Sequence, residues 1–356
     1  MPNAIRFEVH HAARAGRARV HAAQTRSAGK RPESRTTRRL SRILVATDGT
    51  AASEGAVTVA GLLARRHHAT VDVVSVLPRW GESPPAPEFL AITGELLEER
   101  LASVLPQGQR ALGNGTPFWT IRLIDSSSIV DSIAETARTG GHDLIVTGNR
   151  RGWITRWLRR PTALAVAQRS GVAVLVVPQS ASTLPARAIV GVDGRDADVA
   201  IATSTIGVLA ESAAVHLVHV DGVEAPAAYG PADAEDTVGW AVRFTEIEKA
   251  LTHSGIAAVK RRVLRGEPAA RLTAYAERAN ADLIAVGDRQ PATVADRVSH
   301  GTRRRILRAF DGFVLLRGTG NVSPRHDYRI RKGWAVTSSR DRLPDRARTD
   351  GLHFNG

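Results

Sequence analysis

Along the middle of the chain, short runs of Val, Ile, Leu and Ala alternate with longer stretches whose apolar residues return every three to four positions. The short runs read as strands buried on both faces, and the longer stretches as helices with one apolar side. Strands are predicted over residues 42–47, 71–76, 118–124, 143–147 and 172–177, with helices over 52–67, about 93–112 and 127–139. The same series then begins again. Strands are predicted over 188–192, 215–220, 257–264, 282–286 and 313–316, with helices over 196–210, 236–254 and 267–279. The first strand of each series ends on Asp-Gly, at Asp48-Gly49 and Asp193-Gly194, and the fourth runs into Gly148 and Gly287.

The two aspartates stand 145 residues apart and the two glycines 139 apart, which marks an internal duplication. Alternating strands and helices with such connections imply an α/β fold of two doubly wound parallel-sheet domains in tandem, over residues 41–178 and 187–317. Ligands in that architecture bind beyond the carboxyl ends of the strands, where strand order reverses. Asp48, Asp193, Gly148 and Gly287 are all expected there. The last strands, 172–177 and 313–316, are apolar edges that need a partner, so the two domains are expected to pair through them as a pseudo-dimer.

The segments that carry the repeat are ILVATDGT and AIVGVDGR at the first strand, VVSV and LVHV at the second, and DLIVTGNRRG and DLIAVGDRQ at the fourth. With the closing segments SGVAVLVVP and DGFVLLRG, the ordered set resembles the universal stress protein family, twice over. The resemblance implies the fold of the wider adenine-nucleotide alpha hydrolase-like group and a regulatory binding role in a stress response. It also implies ATP with Mg²⁺ as the candidate ligand. Asp48 and Asp193 would then touch the nucleotide, while Val76 and Val220 would frame the adenine. Plain structural roles compete with these: Asp-Gly after a strand is a turn and helix-start signal, and the valines are ordinary core.

ATP-binding members of that family carry G-x2-G-x9-G-[ST] after the fourth strand. Glycines there let backbone amides approach phosphate, and the last pair sits at a helix N-terminus whose free amides favour anions. Both copies depart from the pattern. After Gly148 the first has Arg151 and a late Gly152, then Arg160-Pro161-Thr162, where Pro161 has no amide hydrogen to donate. Thr162 remains as a capping or phosphate-binding hydroxyl. Arg150, Arg151, Arg156, Arg159 and Arg160 offer guanidinium forks in place of amides, or simply a solvated basic face. The second copy keeps Gly287, then sets Asp288 where phosphate would lie, and retains Gly301-Thr302 at the expected helix start, one residue later than the family spacing. Any nucleotide affinity is therefore expected in the second domain, opposed by Asp288 unless a divalent cation bridges the two negative groups.

Composition narrows the function further. The chain has 356 residues and no cysteine, which excludes disulfides, thiolate catalysis and Cys-ligated metals, and suits a reducing, cytoplasmic compartment. No apolar run approaches the ~20 residues that a membrane span needs. Of the formal charge of +14, residues 1–40 carry +8 and residues 321–356 carry +4, which leaves the folded middle nearly neutral. Both tails lack a buriable apolar face and are expected to be disordered, with non-specific attraction for polyanions. An Arg-rich leader is also the composition of an organelle transit peptide.

Signatures of turnover chemistry are missing: no G-x4-G-K-[ST], H-E-x-x-H or G-x-S-x-G occurs. His67-His68 closes a helix and is expected to be exposed, and His216 and His219 lie on one strand as core or capped imidazoles. Three readings stand: a stress-response module that binds nucleotide or protein partners, a nucleic-acid-associated protein acting through its tails, and a weak ATPase.

Overall fold

The computed structural model describes residues 6–7, 39–78, 99, 101, 103, 105–106, 119–126, 128–149, 162–194, 196–221, 234–256, 258–287 and 296–318. The Arg cluster 150–160, Gly152, Pro161, Asp288, residues 321–356 and most of residues 1–40 lie outside them.

Among the described residues eleven strands form one sheet. They are β1 (Arg6–Phe7), β2 (Arg42–Ala46), β3 (Thr70–Pro78), β4 (Trp119–Ser126), β5 (Leu144–Gly148), β6 (Ala173–Val177), β7 (Arg187–Gly191), β8 (Ala214–Asp221), β9 (Ala258–Arg265), β10 (Leu283–Gly287) and β11 (Phe313–Arg317). Their spatial order is β1-β4-β3-β2-β5-β6-β11-β10-β7-β8-β9. Within each half all pairings are parallel, and the order reverses between the first and fourth strands, β2/β5 and β7/β10. The halves meet where β6 and β11 pair antiparallel, with Val176 opposite Val314 and Val174 opposite Leu316. Strand direction therefore flips at the seam, so the carboxyl ends of the two halves point to opposite edges of the sheet. Arg6–Phe7 adds a short parallel strand outside β4, opposite Thr120 and Ile121.

Helices α1 (Glu54–His67), α2 (Ile129–Thr139), α3 (Thr162–Ser170), α4 (Asp196–Val208), α5 (Ala234–His253), α6 (Pro268–Arg278) and α7 (Asp296–Ala309) cover the sheet. Alternate strand residues build two cores. Ile43, Val73, Leu175, Val190 and Leu217 pack under α1, α4 and α5, while Leu44, Val74, Val174, Ile189 and Val314 pack under α2, α3, α6 and α7. Each core runs unbroken across the seam, and each fully buried branched side chain contributes about 2 kcal/mol of transfer free energy.

The amino ends of the strands are fastened by corresponding carboxylates in both halves, Asp143 through one oxygen and Asp282 through both. Asp143 accepts from the amides of Ser41 (2.7 Å) and Arg42 (3.1 Å), and Asp282 accepts from those of Ala186 and Arg187 (2.9 Å each). Each carboxylate ties its fourth strand to the start of its first. His67 differs from its expected exposure: it is buried, and its Nε2 donates across the seam to the Gly207 carbonyl at 2.8 Å, while Arg39 holds the His67 carbonyl at 2.6 Å. His68 takes the left-handed C-cap position.

Candidate functional site

In the first half the chain leaves β2 through Thr47, whose amide donates to the Val74 carbonyl at 3.0 Å. It turns at Gly49, where φ is 70°, a conformation that strains a side-chain-bearing residue. Asp48 closes this turn. Its Oδ1 accepts from the Thr50 amide (3.1 Å), the Thr50 hydroxyl (2.7 Å) and the Ser53 hydroxyl (3.4 Å), which starts the helical turn Ala51–Ser53 and then α1. Gly148 is pressed against the same turn: a Cβ there would stand 2.3 Å from the Ala52 carbonyl oxygen. The space beside its Cα is thus filled by protein backbone. Val76, near the end of β3, is half-buried against the core under α2 and α3. Asp48, Ser53 and Gly148 are brought together, and Thr162 stands at the first position of α3.

The second half uses the corresponding positions differently. The amides of Asp193 and Gly194 both donate to Asp198 Oδ2, at 3.0 and 2.8 Å, and Asp198 is only 3% exposed. Beside this turn the Val192 carbonyl accepts from His219 Nδ1 at 2.8 Å, which fixes that tautomer because a carbonyl can only accept. The His219 ring stacks on Trp240 with centroids 5.2 Å apart, and Trp240 meets Phe244 edge-on. Val220 is half-buried against its core, and Gly287 ends β10.

Gly301-Thr302 does not stand at a helix start. Helix α7 already begins at Asp296, so the amides without an intrahelical acceptor belong to residues 296–299. Those of Gly301 and Thr302 fall in the second turn, engaged along the helix. A Cβ on Gly301 would meet nothing within 4 Å, so no close approach requires glycine there.

Three aligned positions separate the two mouths. Ser53 in the first half corresponds to Asp198 in the second. Ser128, whose hydroxyl accepts from the Asp131 amide to cap α2, corresponds to Glu267, whose carboxylate accepts from the amides of Ala269 (3.1 Å) and Ala270 (2.8 Å) to cap α6. Asn149 corresponds in sequence to Asp288. Burial pushes the Glu267 carboxyl up, but the Ala270 and Ala269 amides and Arg305, at 3.1 Å, hold it below the usual carboxylate range. At the Ser53/Asp198 and Ser128/Glu267 positions the second mouth thus offers carboxylates to amides where the first has hydroxyls, although Asp48 still accepts from the Thr50 amide. For phosphate, the second mouth does not fit: the Asp193 and Gly194 amides already hold a buried carboxylate. In the first mouth no carboxylate stands at the Ser53 position: the Gly49 amide donates to the Thr47 hydroxyl at 3.0 Å, and the Thr50 and Ser53 hydroxyls donate to Asp48. Among the described residues no group of three or more His, Cys, Asp or Glu side chains is placed to hold a metal ion.

The model of the universal stress protein family matches residues 40–178 and again 186–316. The chain belongs to the universal stress protein family. A universal stress protein from Archaeoglobus fulgidus DSM 4304 shares 19% identity and superposes with a TM-score of 0.58, covering 78% of this chain and 98% of that one. A functionally unknown protein from Pseudomonas aeruginosa PAO1 shares 14% identity, with a TM-score of 0.52, 81% of this chain and 96% of that one. At those identities the likeness shows the fold alone. A universal stress protein solved in complex with cAMP covers 40% of this chain and 99% of its own, at 25% identity and a TM-score of 0.34, too low to bear on residue roles. No curated protein matches the chain. Among the described residues no helix is long and apolar enough to cross a membrane.

Sequence reading of this universal stress protein passed over Ser53, Asp198, Ser128 and Glu267. Laying one half on the other at offsets of 145 and 139 would have found them, since both carboxylates stand opposite serines. A buried group at the amino ends also escaped: Asp72 Oδ2 lies 2.7 Å from His142 Nε2 and accepts from Arg42 at 2.7 Å. Burial raises the Asp72 carboxyl, but the hydrogen bonds from His142 and Arg42 outweigh it and hold it below the usual range. His216, on the β8 face opposite His219, meets the Tyr275 hydroxyl at 3.1 Å. Burial, then Lys260, Arg187 and Arg262, lower its imidazole.

Proposed function

We propose that this chain is a regulatory binding protein of a stress response in which the first half takes an adenine nucleotide or a related phosphorylated ligand, while the second half is a self-capped scaffold. The observation that carries this reading is the buried Asp198 carboxylate on the Asp193 and Gly194 amides. A ligand phosphate brought there would face a like charge in a partly desolvated site, a repulsion of at least about 1 kcal/mol. The first half has Ser53 at that position. By sequence it also carries five arginines and no acid over residues 150–161, against two arginines and one Asp over the aligned residues 289–300. This reverses the half favoured by the sequence, whose choice rested on Gly301-Thr302 at a helix start.

No residue of either mouth is assigned a step in turnover. When bound, Mg²⁺-ATP would supply a phosphorylated, exchangeable signal, and the chain's residues would only hold it: Asp48 by accepting a ligand hydroxyl, Thr162 and the arginines by donating to phosphate. Calorimetry of the full chain with Mg-ATP tests this. One site per chain is expected, abolished by Ser53→Asp, which installs the second half's carboxylate in the first. Undiminished binding by Ser53→Asp would overturn the assignment. No binding by wild-type chain would leave a module directed at protein partners.

A further inference from the structure

The two outer edges of the sheet are treated differently. At one end β4 is followed by Arg6–Phe7, a strand drawn from the chain itself. At the other end β9, the corresponding strand of the second half, has β8 as its single neighbour among the described residues. An edge strand presents a row of unpaired backbone N–H and C=O groups that another extended segment can complete. The equivalent position in the first half already accepts one.

Side chains on β9 say what kind of segment fits. Its sequence, AVKRRVLR, holds four cations and no acid. Register with β8 sorts them by face. Lys260 and Arg262 stand opposite His216 and Val218, on the α6 side. Both are exposed, and among the described residues neither forms an ion pair. Arg261 and Val263 stand opposite Leu217 and His219, on the α5 side. There Arg261 is already paired with Glu248, and Val263 is 47% exposed, with Val242 of α5 49% exposed in the same layer. One face of an added strand would therefore meet cations that have no carboxylate partner among the described residues, although Arg262 Nη1 donates to the Arg261 carbonyl at 3.0 Å, and the other would meet bare valine.

We infer that the β9 edge is a docking site for an extended acidic peptide segment of a partner protein, one that alternates carboxylates with small apolar residues and joins the sheet as a further strand. Two copies of β9 would set four cations against four, so the edge rejects a second copy of this chain. The basic stretches at residues 1–40 and 321–356 are rejected on the same ground. Main-chain pairing supplies adhesion, while Lys260 and Arg262 on one side and Val263 on the other supply selection.

The test is fluorescence anisotropy of the full chain with a labelled ten-residue peptide of alternating Glu and Val. Saturable binding is expected, weakening as salt rises. N-methylation at alternate peptide nitrogens, which blocks strand pairing and leaves charge unchanged, should weaken it by about tenfold or more. The exposed double substitution Lys260→Glu with Arg262→Glu should do the same. Absence of saturable binding overturns the inference. So does equal affinity for the N-methylated peptide, which would mean that charge alone is read. Displacement of the peptide by an equally charged single-stranded oligonucleotide would make the edge a nucleic-acid surface and overturn it as well.

Discussion

The halves agree at the amino ends of their strands and part company at the carboxyl ends. Asp143 and Asp282 each accept from two amides at corresponding positions, a contact that holds the first and fourth strands of each half together. At the mouths, Ser53 corresponds to Asp198 and Ser128 to Glu267, and in the sequence Asn149 aligns with Asp288. Two hydroxyls against two carboxylates place this divergence at the carboxyl ends of the strands, while the amino-end contact is kept. A duplicated domain can thus keep its framework while the residues at its two mouths diverge.

The comparison can be broken most severely at Gly148. Gly148→Ala forces a Cβ onto the Ala52 carbonyl and should cost about 3 kcal/mol in urea denaturation. A near-neutral result would mean that the turn after Asp48 is loosely held. Next, Asp143→Ala and Asp282→Ala should each cost about 2 kcal/mol, since each removes a charged acceptor from two amides. The two losses should add, because the sites are far apart. Unequal losses would show that the shared framework is not shared energetically.

Gly301→Ala should stabilise the chain by about 0.5–1 kcal/mol, because Gly301 lies within α7 with open space beside it. A loss of stability would restore a special role to this glycine. The smallest effect is a pH slope. Burial lowers the His67 imidazole most, its hydrogen bond to Gly207 acts the other way, and Arg66 and Arg39 lower it further. Its folded value lies below its unfolded one, so the unfolded chain binds more protons and stability falls as pH drops through about 6.5. His67→Gln, which can still donate to Gly207, should flatten the loss of thermal stability between about pH 7.5 and about 5.5, with His216 carrying the remainder.

The fold was legible because its signals are local and repeated. Buried strands such as ILVA and AIVG, and the aspartate-glycine turns behind them, show in the sequence without tertiary information. The register of the mouths was not. Gly301-Thr302 resembled a helix start until α7 was seen to begin at Asp296, since nothing local stops a helix from starting one turn earlier. His67 looked exposed because the last turn of a lone helix faces water. Here the second half covers it, and that contact is long-range. Asp198 was hidden by its setting among other polar residues, where an acidic residue in a first helical turn reads as ordinary capping. Its two amide partners appear only once the turn is closed.

The central claim is that ligand is held by the first half because Asp198 occupies the second. Photo-crosslinking with 8-azido-ATP, followed by peptide mapping, tests it most directly on the wild type and on the exchange of Ser53→Asp with Asp198→Ser. The account predicts adducts within residues 40–178 of the wild-type chain, and their loss from that half with appearance within 186–316 in the exchanged variant. Adducts in the second half of the wild type, or a first-half pattern that survives the exchange, would contradict it.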